Sequence, residues 1–189
     1  MAQNICVYCA SSDAVDARYF DLAAEMGARI AKRGDTLVYG GASKGMMGEV
    51  ARSTQRHGGR VVGIIPQSLV DLELAFTDAD ELIVTKDMRE RKGLLEMRGD
   101  AFVALPGGLG TLEEVMEILT LKQLRLTTKP LVLLNVEGFY APLFDLFAHL
   151  TELRFVKPNY PQLYHAAPDL DDVFAYLDSY HPVLPEPKF

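Results

Sequence analysis

The stretch "ALPGGLGTLEEV", Ala104 to Val115, joins the end of an apolar run to the beginning of a helical pattern. The run that leads into it, "AFVALP", has the length and composition of a buried strand, which Pro106 ends. Three glycines then permit a tight turn: Gly107, Gly108 and Gly110. Thr111 follows as a residue that can cap a helix over about 111–126. The stretch therefore predicts a strand, a glycine turn and a helix in succession, the repeating unit of α/β folds.

The same alternation of strand-like runs and helical segments occurs about six times along the chain. The strand-like runs are "ICVYC", "TLVYG", "RVVGIIP", "ELIVT", "AFVALP" and "PLVLLNV". Helices are expected at about 15–33, 45–57, 87–98, 111–126, 140–153 and 170–177, and "KPNYPQLYHAAPD" is expected to be a loop. We predict one Rossmann-like α/β domain over residues 1–180, a doubly wound, mainly parallel sheet flanked by helices, and a proline-rich tail at 181–189.

Composition excludes several classes of partner. The chain has 189 residues, 49% of them hydrophobic, with 19 basic and 26 acidic residues and a net charge of -7. Such a charge gives no global positive field for a nucleic-acid backbone or an anionic membrane, so neither partner is expected. The first residues lack the pattern of a signal peptide, and no apolar run is long enough to span a membrane. We predict a cytoplasmic protein.

The cysteines and histidines give no sign of a metal or redox centre. Cys6 and Cys9 form a C-x-x-C, but in a strand residues three apart point to opposite faces, and no second pair completes a zinc site. We therefore expect two reduced, partly buried thiols. The four histidines are scattered without metal-ligand spacing, so no metal is predicted.

In parallel sheets, ligands bind beyond the carboxyl ends of the strands, where glycines are informative. "CASSDA" after the first strand lacks glycine, so the dinucleotide fingerprint is missing and NAD is disfavoured. "YGGASKGMMGEV" after the second carries Gly40, Gly41, Gly45 and Gly48, but no Walker A motif. Its glycines could admit a ligand or simply allow close packing of a helix on a strand, and the residues alone leave both interpretations open.

The glycine turn that precedes Thr111 is also open to two interpretations. A helix terminus with unpaired N–H groups and no obstructing side chains is a natural phosphate-binding site. Yet "TLEE" is also a capping box, in which Glu114 would bond back to the cap residue and serve stability. A second observation favours an anion site. Arg91 lies among Met88, Leu94 and Leu95 on the apolar side of its predicted helix, where a guanidinium needs an anionic partner unless it reaches the rim.

Together, "VYGGASKGMMG", "MRERK" and "PGGLGTLEE" resemble the LOG family, the cytokinin riboside 5'-monophosphate phosphoribohydrolases, long labelled as lysine decarboxylases. The hallmark P-G-G-x-G-T-x-x-E is intact from Pro106 to Glu114. The resemblance extends from "CVYCASS" to "LLNVEGFY", roughly three quarters of the chain. It implies a homodimer that hydrolyses the N-glycosidic bond of a purine nucleoside 5'-monophosphate, either AMP or an N6-modified analogue, without a cofactor.

Carried over position by position, the resemblance implies that Arg91 and Glu114 are catalytic. Glu114 would stabilise positive charge on the ribose or activate water, and Arg91 would orient Glu114 or hold phosphate or base. Positions implied to contact substrate are Glu73, Lys92, Gly108, Leu109, Gly110, Thr111, Leu112, Glu113 and Thr120, with Gly40, Gly41 and Gly45 in a secondary loop.

Three departures from the family pattern affect the expected specificity. Ala42 replaces the third glycine of the usual GGG, Arg89 replaces the histidine of M-H-x-R-K, and "CASS" replaces C-G-S-S. Arg89 adds a charge near the expected base pocket and so bears on base preference. A second function remains open: the same fold can bind or sense a nucleotide without catalysis. The old decarboxylase label would require a pyridoxal phosphate lysine, and nothing in the sequence singles one out.

Overall fold

The structure is a computed structural model that describes residues 2–72 and 74–182. Strands and helices alternate along the chain, and the contacts within it form two compact units, one up to Phe102 and the other from Val103. The division falls inside the fifth strand, so each unit contains part of a seven-stranded parallel α/β sheet.

The first unit contains four complete strand–helix pairs and the beginning of a fifth strand. Its strands are β1 Asn4–Tyr8, β2 Thr36–Tyr39, β3 Arg60–Pro66, β4 Glu81–Thr85 and the start of β5 Ala101–Ala104. Its helices are α1 Ala17–Lys32, α2 Gly45–Arg56, the short α3 Gln67–Val70 and α4 Met88–Arg98. The order of strands in this unit is β4-β3-β2-β1-β5.

Strands β1, β2 and β3 of the first unit each lie between two other strands and carry mostly apolar, buried side chains on both faces. The first three pair in parallel, with Ile5 opposite Leu37 and Leu37 opposite Val61, and all three side chains are fully buried. A strand buried on both faces needs a helix on each side, which the intervening helices supply. Helices α1 and α2 pack together so closely that a β-carbon on Gly27 would overlap the Val50 carbonyl oxygen.

In the second unit the order of strands is β5-β6-β7. Its complete strands are β6 Leu131–Leu134 and β7 His165–Ala167, and its helices are α5 Leu109–Gln123, α6 Ala141–Glu152 and α7 Leu170–Ser179. Two short 3-10 helices, Val136–Gly138 and Tyr160–Leu163, lie in the connections. Aromatic side chains hold the second connection against α6, since Phe147 contacts Tyr160 edge-on and Phe144 stacks on Tyr164.

The predicted parallel α/β fold is confirmed, with all six predicted strands and all six predicted helices present. The segment predicted to be a loop contains β7, a strand too short at three residues to show a pattern. Helix α3 was also missed because its four residues include no buried side chain to mark a face. Cys6 and Cys9 form no disulfide, as predicted, and both are buried where partial burial was expected. The domain limits stay a prediction, and residues 183–189 of the expected tail lie outside the described residues.

Near the end of α5, Lys122 is a cation enclosed by the second unit. Its side chain is 4% exposed, its Nζ donates to the Lys129 carbonyl oxygen at 2.6 Å, and it lies 5.5 Å from the Tyr180 ring centroid. Burial lowers the pKa of Lys122 to about 8. A buried ammonium favours its neutral form because the apolar surroundings hydrate the charge poorly.

This depressed pKa predicts a pH-dependent stability difference between the protein and a Lys122→Met variant. Between the folded pKa, about 8, and the ordinary value of 10.5, the unfolded chain holds more protons on Lys122. The free energy of unfolding of the parent should therefore rise relative to the variant by about 1 to 2 kcal/mol from pH 7 to pH 9.5. Urea unfolding of both proteins at each pH measures it, and a constant or falling difference would contradict the assigned burial.

Candidate functional site

In the first unit, the loop after β2 packs closely through its glycines. Gly41 and Gly45 have φ of +75° and +59°, in the left-handed region that favours glycine. A β-carbon on Gly41 would lie 2.8 Å from the Ile65 side chain, and one on Gly45 would lie 2.8 Å from the Ala10 carbonyl oxygen. The Gly45 amide also donates to Asp13 Oδ1 at 2.8 Å. These contacts support the close-packing interpretation of Gly41 and Gly45.

Gly40, the first glycine of this loop, lies against Arg91. A β-carbon on Gly40 would overlap Arg91 Nη2, and Arg91 Nε donates to the Ile64 carbonyl oxygen at 3.1 Å. Arg91 is 6% exposed. The sequence-based prediction that Arg91 lies on the inner face of its helix is therefore confirmed, and it does not reach out from the rim.

A short antiparallel bridge joins the same loop to the segment before β4. Ala42 pairs with Ala75, the Ser43 amide donates to the Leu74 carbonyl oxygen at 2.8 Å, and the Phe76 amide donates to the Gly41 carbonyl oxygen at 2.9 Å. The Ala42 departure from the family's glycine thus falls on the residue that forms the bridge. Glu73, predicted to contact substrate, lies outside the described residues.

Tyr39, at the end of β2 in the first unit, buries a polar hydroxyl group. It is fully buried, its hydroxyl has no hydrogen-bond partner among the described residues, and burial raises its pKa above the ordinary value. A buried unsatisfied hydroxyl costs about 1 to 3 kcal/mol. Tyr39→Phe should therefore raise the free energy of unfolding by about 1 kcal/mol or more, as measured by chemical denaturation.

The matched control for Tyr39→Phe is Tyr140→Phe in the second unit, because Tyr140 is also buried but its hydroxyl donates to the Leu105 carbonyl oxygen at 2.6 Å. Removing that hydroxyl should lower stability by about 1 kcal/mol or more. Equal destabilisation by both substitutions would show that the Tyr39 hydroxyl has a partner in solution.

In the second unit, the glycine turn after β5 opens directly into α5. The helix begins at Leu109 with Gly108 as its cap residue, and the Leu112 amide makes the first turn's bond to the Gly108 carbonyl oxygen at 3.0 Å. Amides earlier than Leu112 have no acceptor within the helix. Leu109 is 85% exposed and Gly108 and Gly110 are also exposed, so this helix terminus faces outward.

The predicted capping by Thr111 is wrong. The helix starts two residues earlier than expected, no side chain caps it, and Thr111 is a buried residue of its first turn. Glu114 is then the sixth helical residue, beyond the third position from which a capping-box glutamate reaches back. Thr111 instead packs onto the turn, so closely that a β-carbon on Gly107 would overlap Thr111 Oγ1.

The two remaining glycines of the turn are not required by packing. A β-carbon on Gly108 or Gly110 would meet no atom within 4 Å, and neither residue has a positive φ. Glycine at such positions leaves the backbone open to close approach from outside. The turn therefore combines one glycine that the fold requires with two that expose helix-terminal amides.

The other predicted site residues of α5 lie on different faces of the helix. Glu114 is half-buried and lies one turn beyond Gly110, and its Cα–Cβ bond, like that of every helical residue, tilts towards the N-terminus of the helix. Leu112 is half-buried and Glu113 exposed. Thr120 is exposed about 120° round the helix from Glu114, with its hydroxyl donating to the Met116 carbonyl oxygen at 2.7 Å. Thr120 is therefore not brought together with the turn.

Three residues whose side chains support these loops by hydrogen bonds were not predicted from the sequence. The Tyr140 hydroxyl holds the Leu105 carbonyl just before the glycine turn, and the Asn135 side chain accepts from the Tyr140 amide at 2.7 Å. Asp13 bonds the Gly45 amide at the start of α2. An asparagine directly after a strand and a tyrosine at the following helix start were the available signals.

The chain is similar in sequence to proteins of a known family. The family model described as "Possible lysine decarboxylase" matches residues 47–177. A protein of Oryza sativa subsp. japonica, named probable cytokinin riboside 5'-monophosphate phosphoribohydrolase, is 41% identical over 96% of this chain and 80% of its own length. The chain belongs to the LOG family.

A second relative agrees with this assignment, and solved structures share the fold. A cytokinin riboside 5'-monophosphate phosphoribohydrolase of Arabidopsis thaliana is 38% identical over 96% of this chain and 79% of its own. The molybdenum cofactor carrier protein of Chlamydomonas reinhardtii has a TM-score of 0.71 at 25% identity, covering 94% of this chain and 97% of its own. The molybdenum cofactor binding protein of Rippkaea orientalis, at 22% identity with a TM-score of 0.72 over 95% and 98%, shares the fold.

The described residues lack two further kinds of feature. They contain no group of three or more histidine, cysteine, aspartate or glutamate residues arranged to hold a metal ion. Within the same part of the chain, none of the helices is both long and apolar enough to cross a bilayer.

Proposed function

We propose that this protein is a phosphoribohydrolase that cleaves the N-glycosidic bond of purine nucleoside 5'-monophosphates, releasing the free base and ribose 5-phosphate. AMP and its N6-modified analogues are the substrate class, which makes cytokinin activation the physiological role. The observation that carries the proposal is the intact PGGxGTxxE turn at the start of α5, in a chain 41% identical to a relative named for this reaction.

The glycine turn supplies the phosphate-binding part of the proposed site. Amides of the first turn of α5 point away from the helix without intrahelical acceptors, and the exposed glycines leave room for phosphate oxygens. The positive end of the helix dipole favours a dianion there. The substrate-binding residues proposed from this turn are Gly108, Leu109, Gly110, Thr111, Leu112 and Glu113.

Glu114 is the proposed catalytic carboxylate. Cleavage of the bond between the sugar and the base builds positive charge on the ribose. A carboxylate near C1' either stabilises this charge or activates the attacking water. Because Glu114 lies one turn beyond the phosphate-binding amides, anchoring of the phosphate fixes the sugar relative to it.

Arg91 is the proposed second catalytic residue, and it acts as a fixed positive charge. A guanidinium stays protonated at neutral pH and so donates hydrogen bonds rather than protons. Its work is to hold the phosphate or base of the substrate, with Lys92, half-buried beside it on α4, and Glu73 as further binding residues. Thr120, exposed on α5, serves as a further contact to substrate only if the protein forms the homodimer that we also propose.

A non-catalytic nucleotide-binding protein is the competing function. It is favoured by one observation, the likeness at 25% identity to a structure named as a cofactor carrier protein.

The two functions differ in whether the protein turns over its nucleotide. Purified protein incubated with AMP, and separately with N6-prenylated AMP, should release free base in amounts that exceed the enzyme many times over, as followed by chromatography. Tight binding of both nucleotides without release of base would instead support the binder.

Two further parts of the proposal concern the assembly and the cellular context. We propose a homodimer in the cytoplasm, with a nucleotide substrate and neither nucleic acid nor membrane as a partner. The acidic composition, with a net charge of -7, supports the last point because a polyanion would be repelled. Light scattering on the purified protein tests the dimer directly.

A further inference from the structure

We propose that Gly40 is a positioning residue for Arg91: the missing side chain at Gly40 provides the space in which the Arg91 guanidinium is held. The inference rests on the proposed function for its kinetic consequence, whereas its steric basis lies wholly within the first unit. It assigns to the first glycine of the "GGAS" loop a task different from that of its neighbours.

Backbone conformation does not explain glycine at position 40. The described glycines with positive φ are Gly34, Gly41, Gly45, Gly58 and Gly138, and Gly40 is not among them. Its φ therefore does not require glycine. The requirement is therefore one of space, because a β-carbon there would overlap Arg91 Nη2 and the Met47 Cε and lie 3.1 Å from Arg91 Cζ.

The Arg91 guanidinium is also held from another side. Arg91 Nε donates to the Ile64 carbonyl oxygen at 3.1 Å, and Arg91 belongs to the regular turn of α4, with its amide bonded to the Asp87 carbonyl oxygen at 3.2 Å. At 6% exposure, the side chain has little freedom to move towards solvent. A methyl group at position 40 would therefore push the guanidinium off this arrangement.

Catalysis by Arg91 would depend on the orientation of its guanidinium. A guanidinium presents its donors in a rigid planar fork, so displacement by about 1 Å misaligns every bond it makes to substrate. Gly40→Ala should therefore keep the fold, lower kcat at least about tenfold, and change KM much less.

The matched control is Gly93→Ala, on the same helix as Arg91 and with no atom within 4 Å of the added β-carbon. Gly93→Ala should leave kcat unchanged and raise the unfolding midpoint, because alanine is the better helix former. A loss of kcat shared equally by both variants would overturn the inference.

A double-mutant cycle tests the steric basis independently of catalysis. Gly40→Ala should lower the midpoint of chemical unfolding in the parent protein, and the loss should shrink clearly in an Arg91→Ala background, where the obstructing guanidinium is absent. Additive effects would overturn the inference whatever the activity. If the parent released no base, the proposed function would fail while this cycle still decided whether Gly40 holds Arg91 in place.

Discussion

Glu114→Gln is expected to abolish most release of free base while leaving the fold intact. The substitution keeps the size of the side chain but removes the charge that stabilises the ribose cation or activates water, so kcat should fall by about 100-fold to 10,000-fold. Because Glu114 is half-buried on α5, replacing it should change the unfolding free energy by less than about 1 kcal/mol. Chromatographic rates with AMP or N6-prenylated AMP measure the effect.

Glu117→Gln is the matched control for this prediction. Glu117 lies three residues further along the same helix and is also half-buried, but it is outside the PGGxGTxxE motif. Its substitution should leave kcat within about twofold of the parent. Similar rates in both variants would remove Glu114 from the mechanism, whereas a selective loss at Glu114 would assign it the reacting carboxylate.

Arg91→Lys is expected to show the second large loss, even though it preserves a positive charge. A lysine ammonium lacks the planar fork of guanidinium and cannot both bond the Ile64 carbonyl and present paired donors to substrate. We expect kcat/KM to fall by about 100-fold, equivalent to about 3 kcal/mol of transition-state stabilisation. Steady-state kinetics with nucleoside 5'-monophosphates measure it.

Arg98→Lys serves as the comparison for Arg91, since it lies on the same helix but forms an exposed ion pair with Glu81 at 3.1 Å. Exposed pairs contribute about 0 to 1 kcal/mol, so both activity and stability should hardly change. An Arg91→Lys variant as active as Arg98→Lys would show that the buried guanidinium serves the fold and not the reaction.

Much of the fold was predictable because it depends on local patterns. The buried strands show continuous apolar runs, and the long helices follow them with clear periodicity. β7, with three residues, has no such pattern and exists because β6 offers it an edge, with Val132 opposite His165. Pairing of this kind is tertiary and does not appear in a window of sequence.

Some properties of the candidate site were also predictable, and others depended on packing. The burial of Arg91 followed from its place between apolar residues of one helix face. The start of α5 did not follow, because capping rules favoured Thr111, whereas the helix begins at Leu109 and Thr111 packs against Gly107 from within its first turn. The role of Gly40 could not be predicted from the sequence, because it depends on the packing of Arg91, which lies 51 residues further along the chain.

The most direct measurement of the central claim is the product balance of the reaction with N6-prenylated AMP in water enriched in oxygen-18. Hydrolysis predicts equal amounts of free base and ribose 5-phosphate, with the heavy oxygen at C1 of the sugar phosphate when products are trapped before exchange. It also predicts no requirement for added phosphate. A nucleotide that stays intact after prolonged incubation with folded protein, or base release that depends on inorganic phosphate, would contradict the account.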